Sequence, residues 1–180
     1  IRLCGKRIDQ LVFPATHNAM SAADQAGWLF PNQEHGIATQ LADGVRGLLI
    51  DVHYGVPVGD RVRTDLDAER SGMREKATSA LGAEGTAAAM RIRDRLVDGR
   101  IGVRDTYLCH GFCELGATPL VDGLRAVHDF LVTHPREVLV LDIEDYVSPA
   151  DLAAAFEKSD LLPYIWKGST NGPWPTLESL

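Results

Sequence analysis

Short apolar runs alternate with stretches of helical periodicity along most of this chain. Four runs that end in polar residues are typical of strands buried in a parallel sheet, at residues 11–15, 45–53, 106–110 and 137–143. Apolar stripes at helical spacing predict helices over about residues 34–42, 86–97, 118–133 and 148–159. Strands that alternate with helices in this way predict an α/β fold with a parallel sheet and right-handed crossovers.

Helix starts and connecting segments carry further expectations. Thr118 and Ser148 each precede a proline, so each is expected to begin a helix and to cap its N-terminus. Residues 54–76 are polar with charges of both signs, which indicates a solvated excursion, and residues 55–104 together form a long insertion between strands. A fifth strand is expected at residues 161–166.

Polar side chains gather where the predicted strands end. They are His17, Asn18, Asp51, His53, His110, Asp142 and Glu144, with Asp145 as a spare acid. Open α/β sheets and α/β barrels both place their binding sites at the carboxyl ends of parallel strands. We therefore expect these side chains to lie in one site.

The residue types in this set indicate phosphodiester chemistry. Two histidines, His17 and His110, can divide proton transfer between a base and an acid. Asn18, Asp51 and Glu144 offer oxygen ligands, which suit Ca²⁺ or Mg²⁺ rather than zinc. A hard cation would neutralise the phosphoryl oxygens while the histidines move protons. Each residue alone could instead close a strand or cap a helix, but the agreement of four strand ends favours a site.

Composition and charge narrow the function classes. The 180 residues are 45% hydrophobic and 24% charged, which fits a single globular domain over residues 1–180. A formal charge of −7 argues against nucleic acid as the main partner. No Gly-rich dinucleotide loop or Walker-type motif is present, which disfavours nucleotide-binding folds. The sequence starts at Ile1 and stops where another helix would begin, so we expect part of a longer or processed chain.

The three cysteines bear on redox state and location. Cys109 and Cys113 lie four residues apart near a strand end and are close enough to form a disulfide, which leaves Cys4 over. A zinc site made by Cys109, His110 and Cys113 is the alternative, although it lacks a second ligand pair at the usual spacing. The disulfide is favoured, and it predicts an extracellular or cell-envelope protein.

The motifs at these strand ends resemble the catalytic X region of phosphatidylinositol-specific phospholipase C, in order and spacing, over essentially the whole chain. They are residues 16–18 (Thr-His-Asn), 44–51 (Gly-Val-Arg-Gly-Leu-Leu-Ile-Asp), 108–111 (Leu-Cys-His-Gly) and 141–144 (Leu-Asp-Ile-Glu). Residues 109–113 are most similar to bacterial, often actinobacterial, members. The resemblance implies a TIM-barrel-like (β/α)₈ fold. A complete barrel needs about 250 residues, so this chain would cover the first half.

The resemblance also implies roles for individual residues. His17 and His110 are the implied catalytic pair. Asn18, Asp51 and Glu144 match the calcium ligands of the calcium-dependent members, and the supporting candidates are His53, Asp142 and Arg46. The implied substrate is a phospholipid at a membrane surface. The inositol 2-hydroxyl would attack the phosphodiester and release diacylglycerol and a cyclic inositol phosphate.

Two departures from the family pattern keep other functions open. Calcium-dependent members carry another acid where this chain has Leu49, and calcium-independent bacterial members carry an arginine where it has Asp51. Leu49 therefore leaves room for a catalytically silent barrel that binds lipid or another surface. The remaining alternative is a glycerophosphodiester phosphodiesterase-like enzyme, which would show His-Arg at residues 17–18 and Glu-x-Asp at residues 49–51.

Overall fold

A single long strand, β2 (Gly47–Val58), runs through the centre of the sheet. The computed structural model describes residues 3–68, 73–169 and 171–180. Within these ranges the other strands are β1 (Ala15–Thr16), β3 (Arg61–Thr64), β4 (Asp105–Leu108), β5 (Thr118–Pro119) and β6 (Val140–Asp145). β1 and β6 run parallel to β2, β3 and β4 run antiparallel to it, and β5 is antiparallel to β4.

The described ranges also contain α1 (Ile37–Ala42), α2 (Met73–Arg95), α3 (Leu120–Thr133) and α4 (Pro149–Lys158). Short 3₁₀ helices lie at Ile8–Gln10, Cys113–Leu115, Leu162–Tyr164 and Leu177–Ser179. Among the described residues, no helix combines the length and the apolar character that a membrane span requires.

β1 and β4 lie end to end along the same edge of β2. β6 pairs with residues 47–52 on one edge of β2. β1 pairs with residues 47–48 and β4 with residues 52–55, so both occupy the other edge. Because β1 is parallel to β2 and β4 is antiparallel, their carboxyl ends point toward each other. The gap between these two ends lies beside residues 49–51 of β2.

One face of the sheet packs against helices. Leu48, Ile50 and Val52 of β2 are buried there against Leu124 and Val127 of α3. The same core includes Leu41 of α1 and Phe156 of α4. Full burial of an aliphatic side chain contributes about 1.5–3 kcal/mol, so this layer is the main source of stability.

The alternate residues of β2 and β6 point to the opposite face. Directly paired residues on neighbouring strands share a face. Leu49 is paired with Asp142, and Asp51 with Glu144. Asp142 and Glu144 are exposed, whereas Leu49 and Asp51 are partly buried. This face therefore presents carboxylates beside the gap between β1 and β4.

The sheet is mixed, so the prediction of a wholly parallel sheet is wrong for the strand at residues 106–110. That strand is β4, which is antiparallel to β2. An apolar run predicts a strand but not its direction. β2 itself continues past its expected end and turns at Gly59 (φ 62°) into β3. The polar stretch at residues 54–76 therefore begins as a hairpin, and residues 69–72 lie outside the described residues.

Two predicted strands are largely absent from the described chain. Of the run at residues 11–15, strand pairing begins at Ala15, and Val12 is fully exposed. The expected fifth strand at residues 161–166 is instead the 3₁₀ helix at Leu162–Tyr164. Pro163 has no backbone N–H to donate to a strand ladder, which accounts for the difference.

The helix predictions hold with shifted boundaries. Ser148 caps α4 as predicted, because its Oγ accepts a hydrogen bond from the backbone N–H of Asp151 at 3.1 Å. Thr118 does not cap α3, since it pairs with β4 and Pro119 takes the N-cap position. The helix expected at residues 34–42 begins at Ile37. The helix expected at residues 86–97 is the second part of α2, which is interrupted at Gly82 (φ 71°).

Candidate active site

The chain segments that follow β1 and β4 are fixed to the middle of β2. The backbone N–H of Ala19 donates to the carbonyl oxygen of Leu49 at 2.9 Å. The backbone N–H of Cys109 donates to the carbonyl oxygen of Asp51 at 3.3 Å. Both bonds attach these segments to β2 beside the gap between the two strand ends, so the residues next to Ala19 and Cys109 are brought close together.

His17 and His110 meet at this gap. Their ring centroids are 6.4 Å apart and their ring planes make an angle of 83°. Both residues are exposed. The carbonyl oxygen of His17 accepts a hydrogen bond from Nε2 of Gln33 at 2.8 Å, which fixes the backbone beneath the ring. The two imidazoles are thus accessible to a substrate and close enough to contact the same group.

Asn18 is buried beneath the two histidines and contacts one of them. Its backbone has φ 52°, a left-handed conformation that asparagine adopts more readily than most residues. Its Nδ2 lies 2.5 Å from Nδ1 of His110. An amide nitrogen donates and does not accept, so Nδ1 of His110 is the acceptor. Nε2 is therefore the ring nitrogen of His110 left to exchange a proton with a substrate.

A second asparagine, Asn32, lies beside Asn18 and His110. Its Oδ1 lies 3.4 Å from Nδ2 of Asn18 and 3.4 Å from Nδ1 of His110. The backbone N–H of Asn32 donates to both the carbonyl oxygen and Oγ of Ser21, at 2.9 and 3.2 Å. The loop between Ser21 and Gln33 thus folds back onto its own start and presents Asn32 to the site.

Asp51 and Glu144 form the acidic part of the site. They are directly paired on β2 and β6 and share the face described above. Burial, followed by the negative charge of Glu144, raises the pKa of the Asp51 carboxyl, and the histidines at 110, 53 and 17 partly oppose this rise. These two neighbouring carboxylates repel each other, and one of them is partly desolvated. A bound cation would relieve this repulsion.

Tyr146 supports Glu144 from the same strand end. Its hydroxyl donates to Oε2 of Glu144 at 2.8 Å. Its ring stacks on the buried ring of His53, with centroids 4.3 Å apart and planes within 9° of parallel. His53 therefore lies next to the site but inside the protein, where it packs against Tyr146.

A disulfide brackets His110. Cys109 and Cys113 are joined, with Cα atoms 4.9 Å apart, so neither sulfur is free to bind the zinc ion considered above. Next to it, the fully buried Glu114 accepts hydrogen bonds from the backbone N–H and Oγ1 of Thr64, at 3.0 and 2.8 Å. Arg93 of α2 lies 3.4 Å from the same carboxylate. The short loop that carries His110 is thereby tied to β3 and α2.

The remaining sequence-predicted candidates lie farther from the two histidines. Arg46 binds Glu137 at 2.8 Å and packs over the ring of Phe130, just before the first residue of β2 and five residues before Asp51. Asp142 is exposed and lies two residues before Glu144 on β6, where it pairs with Leu49. Asp145, at the end of β6, pairs in register with Val52. The structure thus brings His17, Asn18, Asp51, His110 and Glu144 together, with His53 behind them.

Sequence reasoning missed Asn32, Tyr146 and Glu114. Tyr146 had a usable signal, because it follows Glu144 at the two-residue period of a strand face. Asn32 and Glu114 had none, since each lies in an irregular segment whose position depends on tertiary contacts.

The part of the chain that the structure describes contains no group of three or more His, Cys, Asp or Glu side chains placed to hold a metal ion. The two acids alone do not make up such a group, so a cation here would need a further donor besides Asp51 and Glu144. Asn18 is the buried amide in the cluster, and its Nδ2 is engaged by His110. The donor set expected from the motifs, Asp51, Glu144 and Oδ1 of Asn18, consists of oxygen atoms, which is the donor type that a hard cation takes.

Comparison with known proteins gives distant relatives. No protein-family model matches the chain, and no solved structure matches it. It is 25% identical to an uncharacterized secreted protein of Arthroderma benhamiae over 98% of its length. It is 26% identical to a PI-PLC X domain-containing protein of Arabidopsis thaliana over 92% of its length. The chain spans about a third of the length of these relatives, 30% and 32% respectively.

The names of these two relatives agree in part with the expectations from the motifs. One relative is named for the X domain that the strand-end motifs resemble, and the other is named as secreted, which is the location that the cysteines predict. The chain is thus a distant relative of a PI-PLC X domain-containing protein, with a mixed α/β fold that places two histidines and two acids beside the gap between β1 and β4.

Proposed function

We propose that the protein is a phosphodiesterase that cleaves a phospholipid of the phosphatidylinositol type by two-histidine acid–base catalysis with Ca²⁺ or Mg²⁺. The observation that carries the proposal is the meeting of His17 and His110 beside the paired carboxylates of Asp51 and Glu144. The similarity to a PI-PLC X domain-containing protein supports the same class of reaction.

The two histidines would divide the proton transfers of the reaction. One imidazole takes the proton of the inositol 2-hydroxyl as its oxygen forms a bond to phosphorus. The bond between phosphorus and the diacylglycerol oxygen breaks, and the other imidazole gives that oxygen a proton. The products are diacylglycerol and a cyclic inositol phosphate, and the two histidines exchange roles if water later opens the ring. Two accessible imidazoles that can contact one group suit this division.

Asp51, Glu144 and Oδ1 of Asn18 would hold the cation. A bound divalent cation would supply positive charge against the phosphoryl oxygens. The fit rests on the direct pairing of Asp51 with Glu144, because burial and the neighbouring acid both disfavour the ionised form of Asp51 without a counter-charge and so raise its pKa. Leu49 occupies the position of a further acid in the calcium-dependent pattern, so the ligand set is one carboxylate smaller here.

We also propose that β1, β2 and β6, which run parallel to one another, belong to the first half of a (β/α)₈ barrel, and that the antiparallel strands β3, β4 and β5 are additions to it. The supporting observation is that helices pack on the face of β2 that carries Leu48 and Ile50, while the opposite face carries the site. In such barrels the face away from the helices becomes the interior. The relatives are about three times as long as this chain, which leaves ample sequence for the remaining strands.

A membrane surface is the proposed location of the substrate. Leu29 and Phe30 belong to the same loop as Asn32, and their side chains are 42% and 75% exposed. Apolar side chains exposed beside a site suit contact with acyl chains or another apolar partner. Together with the disulfide, this supports an exported enzyme that acts on lipid outside the cell or in its envelope.

The test is cleavage of phosphatidylinositol vesicles, with phosphatidylcholine vesicles and a glycerophosphodiester as comparison substrates. We expect cleavage of phosphatidylinositol by the purified protein, and a loss of about 100-fold or more in kcat for His17→Ala and for His110→Ala. His128→Ala is the matched control, because that histidine lies on α3 beside Tyr164 and away from the site. Cleavage of the glycerophosphodiester instead would favour the glycerophosphodiesterase alternative.

The cation is tested in the same assay by chelation. EDTA should abolish turnover, and added Ca²⁺ or Mg²⁺ should restore it. Full activity in excess chelator would contradict the proposed oxygen ligands. A folded protein that binds no divalent cation and cleaves none of the three substrates would instead favour the catalytically silent alternative.

A further inference from the structure

Gln40 lies on the core face of α1, where an apolar residue would be expected. The buried residues of this helix are Ile37, Gln40 and Leu41, which is the spacing of one helix face. Gln40 is 5% exposed. Burial of an amide is unfavourable unless hydrogen bonds replace the contacts with water that it loses. The hydrogen-bond partners of Gln40 therefore determine whether its burial is compensated.

Three hydrogen bonds satisfy the Gln40 amide, and their partners fix its orientation. Nε2 lies 2.8 Å from the carbonyl oxygen of Ala19 and 2.5 Å from the carbonyl oxygen of His35. A carbonyl oxygen only accepts, so both contacts require the donor end of the amide. Oε1 then faces Oγ1 of Thr16 at 2.6 Å, and this hydroxyl donates to it. The reverse orientation would place Oε1 against two carbonyl oxygens, so the amide has a single orientation.

These bonds hold both ends of the site turn, which is residues 16–19 and carries His17 and Asn18. The hydroxyl of the first residue of the site turn donates to Gln40, and the carbonyl oxygen of its last residue accepts from Gln40. The backbone N–H of that last residue donates to β2. The site turn is thereby fixed between α1 and β2.

The backbone of the site turn adopts a conformation that needs such support. Asn18 has φ 52°, in the left-handed region that side chains other than glycine adopt at a cost. His17 is exposed and Asn18 is buried, although the two residues are adjacent. Loss of the bonds to α1 would let this backbone relax, and both side chains would then move relative to His110.

We propose that Gln40 is a positioning residue that fixes the site turn and, through it, the ring of His17 relative to His110. Its hydrogen bonds reach the two ends of the site turn rather than an imidazole, so it acts through the backbone. The effect on turnover rests on the proposed function, whereas the statement about the site turn stands on the hydrogen bonds alone. A displacement of about 1 Å at a reacting group can lower a rate by about 100-fold.

The first test is Gln40→Met, because methionine keeps the length and the helix propensity of glutamine but not its amide. Native-state hydrogen exchange of the Ala19 amide is compared with that of the amides between β2 and β6, so that a general loss of stability cancels. We expect exchange at Ala19 to accelerate at least 10-fold more than exchange at the β2–β6 amides. With phosphatidylinositol vesicles, kcat should fall about 10-fold while KM changes less than two-fold.

Thr16→Val and Thr16→Ser test the same contact from the other side, at a partly exposed position. Valine has the shape of threonine without the hydroxyl, so Oε1 of Gln40 loses its donor. We expect changes in exchange and in kcat that have the same direction as those of Gln40→Met and are smaller. Serine keeps the hydroxyl and should restore both quantities. This pair of variants decides the question if Gln40→Met does not fold.

Ser159→Ala is the matched control for the loss of a buried polar group. Ser159 is 1% exposed, and its hydroxyl donates to the carbonyl oxygen of Phe156 at the end of α4. The control should change neither the relative exchange of Ala19 nor kcat. Exchange at Ala19 that accelerates no more than exchange at the β2–β6 amides, in Gln40→Met and in Thr16→Val, would overturn the proposal.

The two measurements separate this inference from the proposed function. A variant whose Ala19 amide exchanges faster but whose kcat equals that of an active wild type would overturn the link from the site turn to turnover. A wild type that cleaves none of the substrates would refute the proposed function. Hydrogen exchange would then still decide whether Gln40 fixes the site turn.

Discussion

Asp51 and Glu144 stand directly opposite each other on two neighbouring parallel strands, with their carboxylates on the same face of the sheet. The negative charge of Glu144 adds to burial in raising the pKa of Asp51. Like charges placed directly opposite each other on neighbouring strands are destabilising. Without a cation this pair therefore costs stability, and a bound cation would relieve that cost.

Removal of one charge of this pair should have opposite effects on stability and on cation binding. In chelator, we expect Glu144→Gln to raise Tm by about 1–3 °C, because the repulsion with Asp51 is lost. In Ca²⁺ titrations the same variant should bind at least 10-fold more weakly. Asp142→Asn is the matched control, since Asp142 is an exposed acid on the same strand opposite Leu49. An equal response of the two variants would argue against a special role for Glu144.

The raised pKa of Asp51 predicts a defined pH dependence of stability. The native state holds the proton on Asp51 more tightly than the unfolded state, whose Asp pKa is about 3.9. The contribution of the Asp51 carboxyl to the free energy of unfolding is therefore fully present below about pH 4. It is lost as the pH rises through the raised native pKa. Thermal melts in chelator should show this decline for the wild type and a smaller one for Asp51→Asn. Identical pH profiles of Tm for the wild type and for Asp51→Asn would contradict a raised pKa of Asp51.

Glu114 is expected to matter for folding rather than for chemistry. Its replacement by alanine leaves the backbone N–H and the hydroxyl of Thr64, and the guanidinium of Arg93, without their shared acceptor. We expect a loss of about 2–4 kcal/mol, or about 5–15 °C in Tm, measured by thermal and urea unfolding. Glu137→Ala, which removes a half-exposed partner of Arg46, should cost about 1 kcal/mol or less. Equal losses for both variants would refute this ranking.

The disulfide should affect turnover beyond its effect on stability. Joint replacement of Cys109 and Cys113 by alanine opens a closed loop of five residues. Because the unfolded chain then regains conformational entropy, the free energy of unfolding should fall by about 2 kcal/mol. Because His110 lies inside that loop, we expect kcat to fall several-fold even well below the melting temperature. Cys4→Ala, which changes a free cysteine, is the control and should lower neither the stability nor kcat. Full turnover by the doubly substituted protein would show that Asn18 alone suffices to hold His110.

The sequence predicts the faces of β2 and β6 better than it predicts their surroundings. Asp51 and Glu144 could be placed on one face because a strand alternates its side chains with a period of two, and because both runs are apolar enough to be buried. Ser148 could be recognised as a cap from its own residue type and the proline after it. These features are local, and local physics determines them.

His110 shows where local reasoning fails. It was expected at the end of a parallel strand, side by side with the other strand ends. It reaches the site because β4 is antiparallel and ends against β1, with a short disulfide-closed loop carrying the ring past the strand end. Asn32 depends on the docking of Trp28 on Gly116, a contact between residues far apart in sequence. Strand direction and loop docking are set by tertiary packing, which a pattern along one chain does not contain.

The most direct test of the central claim is phosphorus NMR of the products formed from phosphatidylinositol. Two-histidine catalysis by attack of the inositol 2-hydroxyl predicts a resonance of a five-membered cyclic phosphate that appears as the lipid signal falls. It should be absent with His17→Ala and with His110→Ala, and present with His128→Ala. A wild-type reaction that yields phosphatidic acid, or a cyclic product that both His17→Ala and His110→Ala still form at the wild-type rate, would contradict the account.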